Sequence, residues 1–249
     1  MDGVGKSTTG LGDAVTAAHT PTLDKLLATC KNVYIKAHGT AVGLPSDEDM
    51  GNSEVGHNAL GCGQVYSQGA KLVEEAIESG EIFNSSAWQE LKNNCVAHGS
   101  AMHFLGLLSD GNVHSNINHL IALIKGAKRD GIKKVFVHVL LDGRDVPATS
   151  ALQYVDMLEN AMAELNDESF TAKIASGGGR MTITMDRYFA NWDMVKRGFY
   201  THVYGEGRGF ESATAAIETF RAETPGIIDQ DLPAFVVVKD GKPVGAMHD

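Results

Sequence analysis

Val135-Phe136-Val137-His138-Val139-Leu140-Leu141-Asp142-Gly143-Arg144-Asp145 is an almost wholly apolar run that ends abruptly in a charged turn. A β-branched stretch of this kind, closed by Asp-Gly, reads as a strand buried on both faces. Its neighbours repeat the theme. Ala101–Leu107 is a second apolar run, residues 170–175 a third and residues 234–238 a later one. Between them lie helical stripes: Ile117, Leu120, Ile121, Ile124 and Ala127, then Leu152, Val155, Leu158 and Met162. Strand, loop and helix in alternation give βαβ units around a parallel sheet, so the fold class is α/β.

In open sheets of this class, ligands gather beyond the carboxyl ends of the strands. Three loops occupy that place. They are Ser109-Asp110-Gly111-Asn112-Val113-His114-Ser115, Asp142-Gly143-Arg144-Asp145-Val146-Pro147, and Ser176-Gly177-Gly178-Gly179-Arg180 continuing to Met185-Asp186-Arg187. Together they deliver His114, Arg144, Asp145, Arg180 and Arg187 to one rim. The planar guanidinium recognises carboxylate and phosphate with two hydrogen bonds, so a small ligand carrying both groups suits this set. Blander readings exist for each part. Asp-Gly at residues 110 and 142 is common turn chemistry, and glycines 177–179 would serve as a flexible surface loop. A single arginine is more often a surface ion-pair member than a ligand. His103 and His138, inside strands, read as packing residues. Asp110 and His114 have a spacing seen in metal sites, but a turn plus a ligand-facing His is the better reading.

Composition narrows the function. A chain of 249 residues, 43% hydrophobic and 21% charged, has ordinary globular make-up. Its net charge of −10 disfavours nonspecific nucleic-acid binding. Cys30, Cys62 and Cys95 match no zinc or redox spacing and read as free thiols in a reducing compartment. No apolar run approaches membrane-spanning length, and no signal peptide is recognisable at the start. The expectation is a cytoplasmic protein with a small-molecule substrate and no nucleic-acid or membrane partner. Gly3-Val4-Gly5-Lys6-Ser7-Thr8 imitates the end of a P-loop, yet lacks its first glycine and preceding strand.

Upstream of the first strand, Leu44-Pro45-Ser46-Asp47-Glu48-Asp49-Met50-Gly51-Asn52-Ser53-Glu54-Val55-Gly56-His57 sets Ser53 between two glycines. A hydroxyl needs a base or a metal to become a nucleophile. The acids at 47–49 argue against a base-activated serine and suit a cation. The plain alternative is a polar turn that starts a helix, since Ser and Asn are good N-caps.

Met50-Gly51-Asn52-Ser53-Glu54-Val55-Gly56-His57 resembles the nucleophile signature of the cofactor-independent (2,3-bisphosphoglycerate-independent) phosphoglycerate mutases of the alkaline phosphatase superfamily. All three rim loops resemble that family's transferase domain, as does Tyr204-Gly205-Glu206-Gly207. Asp2-Gly3-Val4-Gly5 and Thr20-Pro21-Thr22-Leu23-Asp24 are similar to its opening segments. Asn112 replaces a frequent glycine and Asn116 a frequent second His. The segment after Arg180 is slightly longer than the bacterial form.

The resemblance implies part of an alkaline-phosphatase-like domain over residues 1–67, followed by a βαβ transferase domain over 68–249. It implies a phosphoserine at Ser53, with Asp2 and Ser53 as metal ligands. His114, Arg144, Asp145, Arg180 and Arg187 would hold substrate, with Asp145 also the general base. It further implies two divalent metal ions (Mn2+, with Mg2+ or Co2+ as alternatives), no need of 2,3-bisphosphoglycerate, and a monomer. The reaction implied is interconversion of 3- and 2-phosphoglycerate in glycolysis and gluconeogenesis. Other classes are a metal-dependent phosphatase or phosphopentomutase-like enzyme and an anion-binding fragment. The apolar strand expected before Asp2 is absent, and the family's remaining metal ligands, two further arginines and a catalytic lysine find no match, so the expectation is a fragment truncated at both ends. It should be inactive alone, with residues 1–66 poorly ordered for want of sheet partners.

Overall fold

A computed structural model describes residues 4–5, 7–185 and 189–247. The chain divides into two compact units, Met1–Lys71 and Leu72–Asp249.

In the first unit the helices are α1 (Ala14–Ala17), α2 (Pro21–Thr29) and α3 (Ser53–Cys62), with a 3-10 turn at Gly39–Val42. Pro21 sits at the first position of α2, where its missing N–H costs nothing. Val42, Leu44 and Val55 form a small apolar cluster. Val33-Tyr34-Ile35, a strand candidate by composition, forms no strand and is exposed. A strand needs a hydrogen-bonded neighbour, and no strand is assigned among the described residues of this unit.

The second unit begins within α4 (Gly69–Glu78) and continues through α5 (Glu81–Asn84), α6 (Ser86–His98), β1 (Met102–Leu108), α7 (Ile117–Arg129), β2 (Lys134–Leu141), α8 (Ala151–Leu165) and β3 (Thr171–Gly179). There follow α9 (Trp192–Val203), β4 (Arg208–Phe210), α10 (Ala213–Glu223), β5 (Phe235–Lys239) and β6 (Lys242–Pro243). The sheet order is β1-β2-β3-β5-β4, with β6 beside β5. β1, β2 and β3 are mutually parallel, whereas β5 runs antiparallel to β3 and carries β4 parallel to itself. The α/β reading therefore holds, with a mixed far edge. Asp240 and Gly241, both at positive φ, close the β5–β6 hairpin.

Alternation along the strands splits the sheet into two faces. Val135, Val137, Val139 and Leu141 of β2 join Ala172, Ile174, Phe235 and Val237 in the main core, under side chains from α6, α7, α8 and α10. The opposite face carries Leu107, Leu140 and Ile183, and also His103, His138 and Ser176. Helix starts are capped as the sequence dictates: Ser85 accepts from Trp88 N, and Ser212 from Ala215 N.

Two further expectations need correction. The sequence of α6 places Trp88 and Leu91 inward; instead Trp88 and Cys95, seven residues apart, are buried, and Leu91 is 56% exposed. Glycines 177–179 are no flexible loop: they are buried and paired in β3. A Cβ on Gly179 would lie 2.2 Å from the carbonyl oxygen of Gln230, so the bare backbone is what lets the 3-10 turn Asp229–Asp231 pack there.

β5 pairs with β3 only at Ser176 and Gly177. Nearer the start of β3, the backbone of Ala172 that faces away from β2 is met by Asn166, whose amide receives Ala172 N–H at 2.6 Å and donates to Ala172 O at 3.1 Å.

Candidate functional site

Because β1, β2 and β3 are adjacent and parallel, their following loops emerge side by side. Asp142, directly after the last apolar residue of β2, is the hub that joins them. It is 2% exposed. Its Oδ2 accepts from Ser109 Oγ at 2.6 Å, tying in the β1 loop. Its Oδ1 accepts from the backbone N–H groups of Arg144 and Asp145, both at 3.1 Å, which folds the β2 loop back on itself. The same oxygen accepts from Arg180 Nη1 at 2.9 Å, tying in β3. Burial pushes this carboxyl up, but the hydrogen bonds from Ser109, the two backbone amides and Arg180 outweigh it and hold Asp142 below the usual carboxylate value.

Arg180, 4% exposed, also donates from Nη1 to Asp145 Oδ2 at 2.6 Å. The guanidinium is therefore enclosed between two carboxylates. Asp145 is partly exposed at the rim, and Arg144 and His114 are exposed there. A Cβ on Gly111 would sit 3.0 Å from Asp145 Cβ, so the first loop lies directly against the second.

The first loop is anchored at several points. Ser115 Oγ donates to Leu107 O at 2.6 Å, and Tyr154 OH on α8 donates to Asp110 Oδ1 at 2.6 Å. Burial and the adjacent Asp110 carboxylate push the Tyr154 phenol up to about 12, so it stays a donor. Asn112 has φ of 59°, a left-handed conformation that Asn and Gly tolerate best, which is why it can stand in place of a glycine.

In the first unit, Ser53 is the first residue of α3 and is exposed. Asn52 caps the helix by accepting from Val55 N at 3.1 Å. Gly51 is obligatory: a Cβ there would lie 1.9 Å from Ala37 O. His57 Nδ1 lies 2.7 Å from Ser53 O and 3.1 Å from Ser53 Oγ. A carbonyl only accepts, so Nδ1 carries the proton and does not serve as a base toward the hydroxyl.

Two of the three acids that suggested a cation, Asp47 and Asp49, are bonded within the turn. Asp47 accepts from Thr40 N and Oγ1, which lower its carboxyl, and Asp49 accepts from Ser46 N and Oγ. Among the described residues no group of three or more His, Cys, Asp and Glu side chains could hold a metal ion. Ser53 and its neighbours thus do not by themselves fit the metal pair that the sequence suggested. Asp2 and Arg187 lie outside the described residues.

Sequence reading missed Asp142 and Ser109, having taken Asp142 for turn chemistry. The available signal was position: each is the first polar residue after a run of buried apolar ones.

A family model described as BPG-independent PGAM N-terminus matches residues 73–249. A probable 2,3-bisphosphoglycerate-independent phosphoglycerate mutase of Leptospira interrogans is 54% identical across the whole chain, which covers 46% of that protein. The Trypanosoma brucei brucei and Zea mays 2,3-bisphosphoglycerate-independent phosphoglycerate mutases are 50% and 48% identical, again over the whole chain and 46% and 45% of their own lengths. A crystal structure of Leishmania mexicana phosphoglycerate mutase at low cobalt concentration superposes with a TM-score of 0.91 at 49% identity, covering 99% of this chain and 45% of that one. The chain spans a little under half the length of these relatives. No helix among the described residues is long and apolar enough to cross a membrane. With its sheet, its rim loops and its sequence all matched at this level, the chain belongs to the BPG-independent phosphoglycerate mutase family.

Proposed function

We propose that the protein containing this chain interconverts 3-phosphoglycerate and 2-phosphoglycerate through a phosphoserine at Ser53, as a step of glycolysis and gluconeogenesis. The observation that carries this reading is the rim itself, where Asp142 and Arg180 hold Asp145 at the mouth of three parallel strands beside exposed Arg144 and His114. Ser53 Oγ attacks phosphorus, and the bond from phosphorus to the 3-oxygen of glycerate breaks. The serine proton passes to the released glycerate. Glycerate stays held by His114, Arg144, Arg180 and Arg187 and reorients. Its 2-hydroxyl gives its proton to Asp145 while that oxygen takes the phosphoryl group and the bond to Ser53 Oγ breaks; the proton on Asp145 then returns through solvent to the serine oxygen, restoring both groups.

The reading includes dependence on divalent metal, Mn2+ with Mg2+ or Co2+ as alternatives, with Asp2 and Ser53 supplying only part of the ligands. It requires no 2,3-bisphosphoglycerate, and it describes a cytoplasmic monomer acting on small molecules. The test is a mutase assay on full-length protein, with manganese and without 2,3-bisphosphoglycerate, for wild type, Ser53→Ala and Asp145→Asn. Conversion by wild type and its loss in both variants supports the reading. Full activity in Ser53→Ala overturns it. Release of inorganic phosphate without isomerisation favours a phosphatase instead.

A further inference from the structure

The face of the sheet turned toward α9 holds a line of five polar side chains from five separate segments. His103 Nδ1 on β1 is 2.9 Å from His138 Nε2 on β2. His138 Nδ1 is 2.7 Å from Ser176 Oγ on β3, which is 2.8 Å from His202 Nδ1 on α9. His202 Nε2 in turn is 3.2 Å from Thr184 Oγ1, in the loop after β3. His138, Ser176 and His202 are 0%, 1% and 2% exposed. Burial first, then the neighbouring His202 and His103, push His138 down to about 3, and burial pushes His202 down to about 4. Both rings are therefore neutral at ordinary pH, each with one N–H to give and one lone pair to receive. Ser176 lies between two ring nitrogens, so it must donate to one and accept from the other. The line has a single sense of donation from end to end.

Two independent features converge on Thr184. Its φ is 70°, a left-handed backbone that a β-branched residue rarely adopts. The approach of α9 is cleared for it as well: a Cβ on Gly198 would lie 2.3 Å from Thr184 Oγ1. The same loop starts at Arg180 and buries Ile183.

We propose that His202 is a positioning residue, which, oriented by Ser176 and His138, holds Thr184 in its left-handed conformation and so fixes residues 181–185, the segment that follows Arg180. The substrate consequence rests on the reading that this loop binds phosphoglycerate. None of the three supporting residues touches the substrate. Their effect passes through the backbone of residues 181–185.

The test uses full-length protein. In His202→Asn the shorter amide keeps the Ser176 side and loses Thr184, whereas in His202→Gln the longer amide reaches Thr184. Thr184→Val removes the hydroxyl at nearly constant shape and guards against misfolding of the histidine variants. Hydrogen exchange at amides 181–185 is expected to quicken about five- to tenfold in His202→Asn and Thr184→Val, the scale of one lost hydrogen bond, and to stay near wild type in His202→Gln. KM for 3-phosphoglycerate should rise by a similar factor in the first two, with kcat little changed. Unaltered exchange in Thr184→Val overturns the positioning role. Quickened exchange with an unaltered KM leaves that role standing and overturns the assignment of this loop to phosphoglycerate binding. Ring-nitrogen spectra of the wild type at pH 7 should show His138 and His202 neutral and each in one tautomer. A charged ring at either position would also overturn the proposal.

Discussion

Nη1 of Arg180 lies 2.6 Å from Oδ2 of Asp145, and both side chains are largely withdrawn from water. An arginine that sequence places among the substrate ligands thus spends one nitrogen on the carboxylate proposed as general base, and on Asp142 as well. Removing it leaves two enclosed carboxylates without their cation. Arg180→Met should destabilise the second unit by about 3 kcal/mol, the cost typical of breaking a buried pair from one side. Urea unfolding followed by circular dichroism checks this, and an unchanged midpoint would mean that the rim is wetter than its geometry indicates.

Gly179 and Gly106 make a matched pair. A methyl group on Gly179 would strike Gln230 backbone, while one on Gly106 meets nothing within 4 Å. Gly179→Ala should cost about 2 kcal/mol or more through displacement of the Asp229–Asp231 turn. Gly106→Ala should be near neutral. Equal melting temperatures for the two variants would contradict this.

Tyr154→Phe removes the phenol that anchors Asp110 and keeps the ring in the core. The expected loss is about 1 kcal/mol. The loop carrying His114 should loosen with it, giving a severalfold rise in KM for 3-phosphoglycerate. Amide exchange across residues 110–115 reads the loosening directly.

Acid should weaken the fold in a defined window. His138 and His202 have folded values of about 3 and about 4, below the ordinary 6.5. Between about 4 and 6.5 the unfolded chain takes up protons that the folded chain refuses, so stability is complete above that range and falls as pH falls through it. The slope is at most about 1.4 kcal/mol per pH unit for each ring. Asp142, lowered instead from 3.8, withdraws its contribution only in more acid solution still. Urea midpoints at pH 7 and 5 should differ, and differ less in His202→Asn.

Residues 1–249 alone should bind Mn2+ only weakly, because Asp47 and Asp49, close to Ser53 in sequence, already accept hydrogen bonds from Thr40 and Ser46. Isothermal titration showing stoichiometric manganese binding would refute this.

β1, β2, β5 and the first part of β3 were legible because each is an apolar run, and the loops after them because charge returns where the run ends. β4, Arg208–Phe210, has no such run, and the glycines that end β3 read as a loop. Val33–Ile35 misled for the complementary reason: strand-like composition does not by itself supply a partner. The histidine line was not legible. His103 and His138 read as packing residues, and nothing local marks Ser176 or His202, which meet only because α9 folds back over β3. Arg180 was recognisable as a cation at the rim, but which anion it faces depends on the depth at which β3 ends.

The amide of Asn166 against Ala172 closes part of an open strand edge. Where β5 diverges, β3 would offer its outward N–H and C=O to any extended chain, the usual opening for edge-to-edge aggregation. A single side chain answers both groups of Ala172. Asn166→Ala would therefore leave both backbone groups of Ala172 unanswered on a stretch of β3 that β5 does not reach.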